Sequence, residues 1–282
     1  VSDFGAAVSQ GSRADVTVTN AEGGTITGAT SGIYSFATGT LAVNNAGTIR
    51  GEGSYDGFDA APDAGITIPP AASSVTNSGT ISGAGAGITT AYQFDEDINA
   101  LVGLAIGTEV ENSGTIAGES NDGIRLIGGG SVTNSGAITG TGRADADGVS
   151  MYAYNDQANE DYSALVTNEE GGAIVGQRFG IILSGGGAVD NAGEIMGVAG
   201  GVFIQGTALN TDPNEDRSGL TASVVNSGTI HGTGDLGGSG GGGYGVGFGS
   251  DMSTATLENS GTIVSDFGAA VSQGSRADVT VT

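Results

Sequence analysis

The sequence predicts an all-β chain wound into a parallel β-helix, and three observations carry that expectation. A cassette of the form apolar-x-Asn-small-Gly-x-Ile-x-Gly recurs nine times. A second cassette, Gly followed by Ile or Val and an alternating apolar stretch, comes after it. Glycine supplies 56 of the 282 residues, and each glycine in a helix interior costs about 1 kcal/mol relative to alanine. Helix is the wrong framework for such a chain.

In chain order the first cassette reads VTNAEGGTITG (18–28), VNNAGTIRG (43–51), VTNSGTISG (75–83), VENSGTIAG (110–118), VTNSGAITG (132–140), VTNEEGGAIVG (166–176), VDNAGEIMG (189–197), VVNSGTIHG (224–232) and LENSGTIVS (257–265). Its asparagines are Asn20, Asn45, Asn77, Asn112, Asn134, Asn168, Asn191, Asn226 and Asn259, spaced by 25, 32, 35, 22, 34, 23, 35 and 33 residues. The second cassette appears as GIYSF (32–36), GITTA (87–91), GIRLI (123–127), GVSMY (148–152), GIILS (180–184), GVFIQ (201–205) and GVGFG (245–249). Period-two alternation sends the apolar residue, Asn, Gly and Ile of the first cassette to one face and Thr to the other. A unit of 22–25 residues cannot bury its apolar face alone, whereas stacked copies make one continuous core. Each unit is then one rung, with rungs about 4.8 Å apart. The Asn column predicts a structural amide ladder, each side chain bonding the rung beside it, and the glycines after it predict a left-handed corner.

A longer period contains the shorter one. Residues 1–19 and 264–282 are the same nineteen letters, VSDFGAAVSQGSRADVTVT. The expected organisation is one complete unit over 1–263, about nine rungs, and the start of the next identical unit over 264–282. Nine rungs advance about 43 Å. The chain starts and stops in mid-repeat, which is the expectation for a piece of a tandem array.

Charge excludes several functions. With 31 acidic residues against seven basic ones, all arginine, the net charge is −24. Phosphate backbones and anionic lipid surfaces both need basic clusters, so nucleic acid is not an expected partner. No apolar run approaches the roughly 20 residues of a spanning helix, so direct membrane insertion is not expected. Without cysteine there is no disulfide or thiolate–metal chemistry.

The acidic residues gather in insertions that leave alternate rungs. These hold Asp95, Glu96 and Asp97, then Asp156, Glu160 and Asp161, then Asp212, Glu215 and Asp216, accompanied by Tyr92, Phe94, Tyr152, Tyr154 and Tyr162. Asp95, Asp97, Asp156, Glu160, Asp161, Asp212, Glu215 and Asp216 are the candidate interaction residues. One reading is a fringe that recognises a partner or a surface polysaccharide, or takes Ca²⁺ through clustered carboxylates. The other is a solvated fringe that keeps a fibre soluble. The chain has neither the nonapeptide of Ca²⁺-binding β-rolls nor an EF-hand loop. Uptake of Ca²⁺ by these loops predicts a melting temperature that falls in excess chelator; an unchanged one excludes it.

Catalysis is not expected. Cleavage of polysaccharide needs paired acid and base at neighbouring positions, and Arg50 and Arg125 are isolated, solvent-parity substitutions. His231, the one histidine, fills a variable slot. No nucleophile or phosphate-binding motif is present. Ice binding needs aligned Thr arrays, and the Thr48, Thr80, Thr115, Thr229 and Thr262 file is broken by Ala137, Ala173 and Glu194.

Repeated VTNSGTIxG cassettes resemble the passenger regions of bacterial autotransporter-type and giant repetitive surface adhesins. That resemblance covers nearly the whole chain. It implies a right-handed β-solenoid displayed outside the cell, at the bacterial surface or in a biofilm matrix, joined to itself head to tail. It also leaves room for a rigid stalk that carries a distal binding domain, and for a polysaccharide-binding or -cleaving β-helix. The sequence has no β-barrel translocator segment of the kind the family carries.

Overall fold

The computed structural model is a right-handed parallel β-helix built from three parallel sheets, with no helix among the described residues. It describes residues 5–282 apart from 12, 37, 54–62, 92, 96–99, 103–106, 154–163, 207–219, 235–242, 250–251 and 275–277.

Each rung contributes one strand to each sheet. The second cassette forms the first sheet of ten strands, from Val8–Gln10 and Ile33–Ser35 to Tyr244–Phe248 and Val271–Gln273. The first cassette is divided by its Asn-small-Gly turn. Its leading half makes the second ten-stranded sheet, for example Ser74–Asn77, Thr108–Asn112 and Gly130–Asn134. Its trailing half makes a nine-stranded sheet, for example Thr80–Gly83, Thr115–Gly118 and Ala137–Gly140. A separate antiparallel hairpin, Gln93–Asp95 with Ala100–Val102, leaves the first sheet after Ile88–Thr90.

Register follows the cassettes letter for letter. Val110 pairs with Val75 and Val132, Ile116 with Ile81 and Ile138, and Ile88 with Ile66 and Ile124. These inward columns are the core: Val75, Ile81, Ile88, Val132 and Ile138 are at most 1% exposed. A one-residue slip would turn every isoleucine outward, and the continuous burial forbids it. Units of 22 to 35 residues differ in their connections, so unequal rungs still stack.

The duplicated segments occupy equivalent columns. Val8 starts a column through Ile33, Ile66, Ile88, Ile124, Val149, Ile181, Val202 and Val246 that reaches Val271. Val18 likewise shares a column with Val281, its counterpart 263 residues on. One long repeat therefore returns the chain to its starting register.

The role expected of the cassette glycines needs correction. Gly47, Gly79, Gly114, Gly136, Gly193 and Gly228 are not among the left-handed residues. A Cβ on Gly79 would run into the Gly47 carbonyl oxygen one rung below, and one on Gly114 into that of Gly79. Backbone contact between rungs, not backbone handedness, selects glycine here. The two longer cassettes differ. Gly23 and Gly171 have φ of 75° and 83°, within turns closed by Gly24 N–H to Ala21 C=O and Gly172 N–H to Glu169 C=O. The extra two residues build a turn whose third position needs positive φ.

Candidate functional site

Polar groups enter the interior of the helix along two lines. The first is the asparagine column. From Asn20 to Asn226, each amide nitrogen donates to the Oδ1 of the asparagine one rung on, at 2.7–2.8 Å. The same nitrogen also reaches backbone carbonyls: for Asn77 these are Gly79 in its own turn and Thr115 in the next rung, at 3.2 and 3.1 Å. The amide plane lies along the helix axis, so eight bonds run in one direction and polarise one another. Asn134, Asn168 and Asn191 are fully buried. A buried amide with both ends engaged is structure; it has no free group to offer a ligand.

The second line is a corner. The residue before the glycine of the second cassette is Ser31, Ala64, Ala86, Asp122, Asp147 and Phe179 in successive rungs. Small residues fit there because this is the inner side of the bend between the trailing half of one cassette and the next strand. Two rungs instead place carboxylates on top of one another, Asp122 at 4% and Asp147 at 1% exposure. Their backbones continue the corner pattern, with Gly123 N–H donating to Asp147 C=O and Gly148 N–H to Phe179 C=O. Their side chains add a ladder of their own. Asp147 N–H donates to Asp122 Oδ1 at 2.8 Å, and Phe179 N–H donates to Asp147 Oδ1 at 3.1 Å.

One cation serves this pair. Arg178 grips Asp147 through Nε to Oδ1 at 3.0 Å and Nη2 to Oδ2 at 2.6 Å, the two-pronged geometry that suits guanidinium and carboxylate. Asp122 has no cation in hydrogen-bond contact among the described residues. Burial, chiefly, and the Asp147 charge beside it push its carboxyl up to about 7, against weaker pulls from the Asp147 N–H hydrogen bond, Arg125 and Arg178. Burial also raises Asp147, opposed by the hydrogen bond from Arg178. The same hydrogen bond to Asp147 holds Arg178 well above its ordinary range. The first proton therefore belongs on Asp122.

An aromatic ladder continues the corner along the axis. Arg178 lies 5.2 Å from the Phe179 ring centre. Phe179 stacks on Phe203 at 5.2 Å, and Phe203 meets Tyr244 at 5.7 Å. Gly200 and Gly247 leave the space that the Tyr244 ring fills. Burial raises the Tyr244 hydroxyl pKa. With Ile182 and Ala199 these rings form a small apolar cluster outside the main core.

The remaining predicted positions scatter. Arg50 bridges two rungs to Glu119 at 2.7 Å. His231 pairs with Asp266, in the duplicated segment, at 3.0 Å. Arg125 differs from its solvent-parity expectation. Its Nε is buried without a partner while its guanidinium sits 5.6 Å from the Tyr152 ring centre. Its neighbours along the file on the first sheet, Thr67, Thr89, Ser150 and Ile182, are at most 5% exposed. Of the candidate interaction residues, Asp95 ends a hairpin strand, and Asp97, Asp156, Glu160, Asp161, Asp212, Glu215 and Asp216 lie outside the described residues. Among the described residues no three His, Asp or Glu side chains are grouped to hold a metal ion.

Asp122, Asp147 and Arg178 were not singled out by sequence reasoning. The available signal is that two units carry Asp-Gly at the start of the second cassette where their neighbours carry Ser-Gly or Ala-Gly. Comparison of the chain with protein-family models, curated proteins and solved structures gives no match.

Proposed function

We propose that this chain is a segment of a non-catalytic, tandemly repeated β-helix rod that works outside the cell as a structural or adhesive element at a bacterial surface or in a biofilm matrix. The observation that carries this reading is the return to register after 263 residues: Val8 and Val271, and Val18 and Val281, share columns. A repeat that closes in register can be joined to its copies without a hinge, and backbone hydrogen bonding then runs unbroken along the axis. The one-way asparagine ladder adds a polarity that suits head-to-tail order. Stiffness is the product, and a net charge of −24 on a thin rod keeps neighbouring rods apart. Likeness of the cassettes to autotransporter-type adhesins supports the cell-surface setting, and the acidic insertions are the part free to meet a surface polysaccharide.

Chains of one, two and three 263-residue units, imaged by electron microscopy, should lengthen by about 43 Å per added unit with constant width. Particles that grow in width instead, or fold back, overturn the rod. Replacing 154–163 and 207–219 by short Gly-Ser linkers then separates an adhesive rod, whose surface binding falls, from a plain stalk, whose binding is unchanged.

A further inference from the structure

We propose that the Asp122–Asp147–Arg178 corner is a proton-operated lock across three successive rungs, closed when Asp122 is protonated and loosened when both carboxyls are ionised. The placement is what demands it. Two carboxylates in adjacent rungs, both almost fully buried, are joined through Asp147 N–H to Asp122 Oδ1, and the only guanidinium in hydrogen-bond contact with them among the described residues grips Asp147 alone. Two like charges in adjacent rungs with one partner cannot both be held cheaply in a buried corner.

The charged and titratable surroundings leave no second counter-charge in contact. Arg125 and Arg178 act on Asp122 from a distance, Asp145 faces Asp147 with its own partner Arg143 at 3.1 Å, and Tyr152 lies near Arg178. Neutral Asp122 leaves one carboxylate for one guanidinium, and both side-chain acceptors keep their backbone N–H groups. Loss of that proton makes Asp122 a stronger acceptor for Asp147 N–H, but it sets two buried charges against each other with one guanidinium to serve them, and that repulsion loosens the corner that holds the Asp147 and Phe179 amides. The affected rungs are those of Asp122, Asp147 and Phe179, where the axial ladder changes from carboxylates to stacked rings.

The direction of the pH effect follows from linkage. The folded chain holds this proton more tightly than the unfolded chain, whose aspartates titrate near 4. Acidification from pH 8.5 to 5.5 loads the folded state first and stabilises the corner; alkalinity through neutrality removes that stabilisation.

Infrared spectra of the intact chain test it. A carboxylic acid C=O band approaching one carboxyl per chain should be present at pH 6.5, where carboxyls of ordinary pKa are ionised, gone at pH 8.5, and absent from Asp122→Asn at both. The Asn variant keeps the Oδ1 acceptor without the charge. Amide exchange should agree: above pH 7 the Asp147 and Phe179 amides of the wild type should exchange at least tenfold faster than the common base-catalysed trend, relative to Asn112 and Asn134, and in Asp122→Asn they should follow that trend. No carboxylic acid band at pH 6.5, or corner amides that track the asparagine rung at every pH, overturns the lock. If Asp122→Asn does not fold, the wild-type band and exchange profile decide alone.

Discussion

Asn134→Ala should destabilise the rungs around it by about 3–5 kcal/mol. The substitution deletes an amide that donates to Asn168 Oδ1 at 2.8 Å, to Gly136 C=O at 3.1 Å and to Ala173 C=O at 3.3 Å, and that accepts from Asn112 Nδ2 at 2.8 Å. Alanine returns none of these bonds, and Asn134 is fully buried, so water cannot replace them. A buried polar group left unsatisfied costs about 1–3 kcal/mol. Asn112 and Asn168 are both impaired, which sets the sum. Because repeat arrays unfold locally, the measurement is amide exchange across rungs 112–191 together with thermal melting. Asn259→Ala is the internal control. Asn259 is exposed, and its loss should cost about 1 kcal/mol or less. Equal and small effects at both positions would remove the ladder as a source of stability.

Gly176→Ala should be as damaging, for a different reason, while Gly171→Ala should cost only about 1–2 kcal/mol. A Cβ at Gly176 would occupy the place of the Phe179 carbonyl oxygen, with the Gly148 backbone nitrogen also too close. Both obstacles are main chain, part of the Gly148 N–H to Phe179 C=O bond that stacks two rungs. Relief requires the corner to open, and overpacking against backbone exceeds the usual 1–3 kcal/mol. Gly171 has nothing within 4 Å of its would-be Cβ and pays only for its φ of 83°. Denaturant melts of the two variants should therefore separate widely. A Gly171 variant at least as unstable as the Gly176 variant would show that handedness rather than close approach selects these glycines.

Much of the architecture was legible because the same physical demand is met once per rung. Val75, Val110 and Val132 repeat because one column must be apolar, and Asn77, Asn112 and Asn134 repeat because each amide needs another of the same length beside it. The glycines were legible in place but not in cause. Gly79 and Gly171 look alike in sequence, yet one is required by a carbonyl of the rung below and the other by its own dihedral angle. The corner was hardest to see. Asp122 and Asp147 lie 25 residues apart and Arg178 another 31. Only the stacking shows that these separations are single rungs, since other units are as short as 22 residues or as long as 35.

By itself the sequence determined the all-β class, the long period, the inward faces and the asparagine column, because periodic patterns state which residues must share an environment. Tertiary structure decided what those environments contain. It placed two aspartates in adjacent rungs with one arginine, covered the middle of the Arg125 file that parity assigned to solvent, and matched the register of Val8 to that of Val271. Such facts depend on how unequal connections bring distant rungs into contact, and contact, unlike periodicity, is not written in any single stretch of chain.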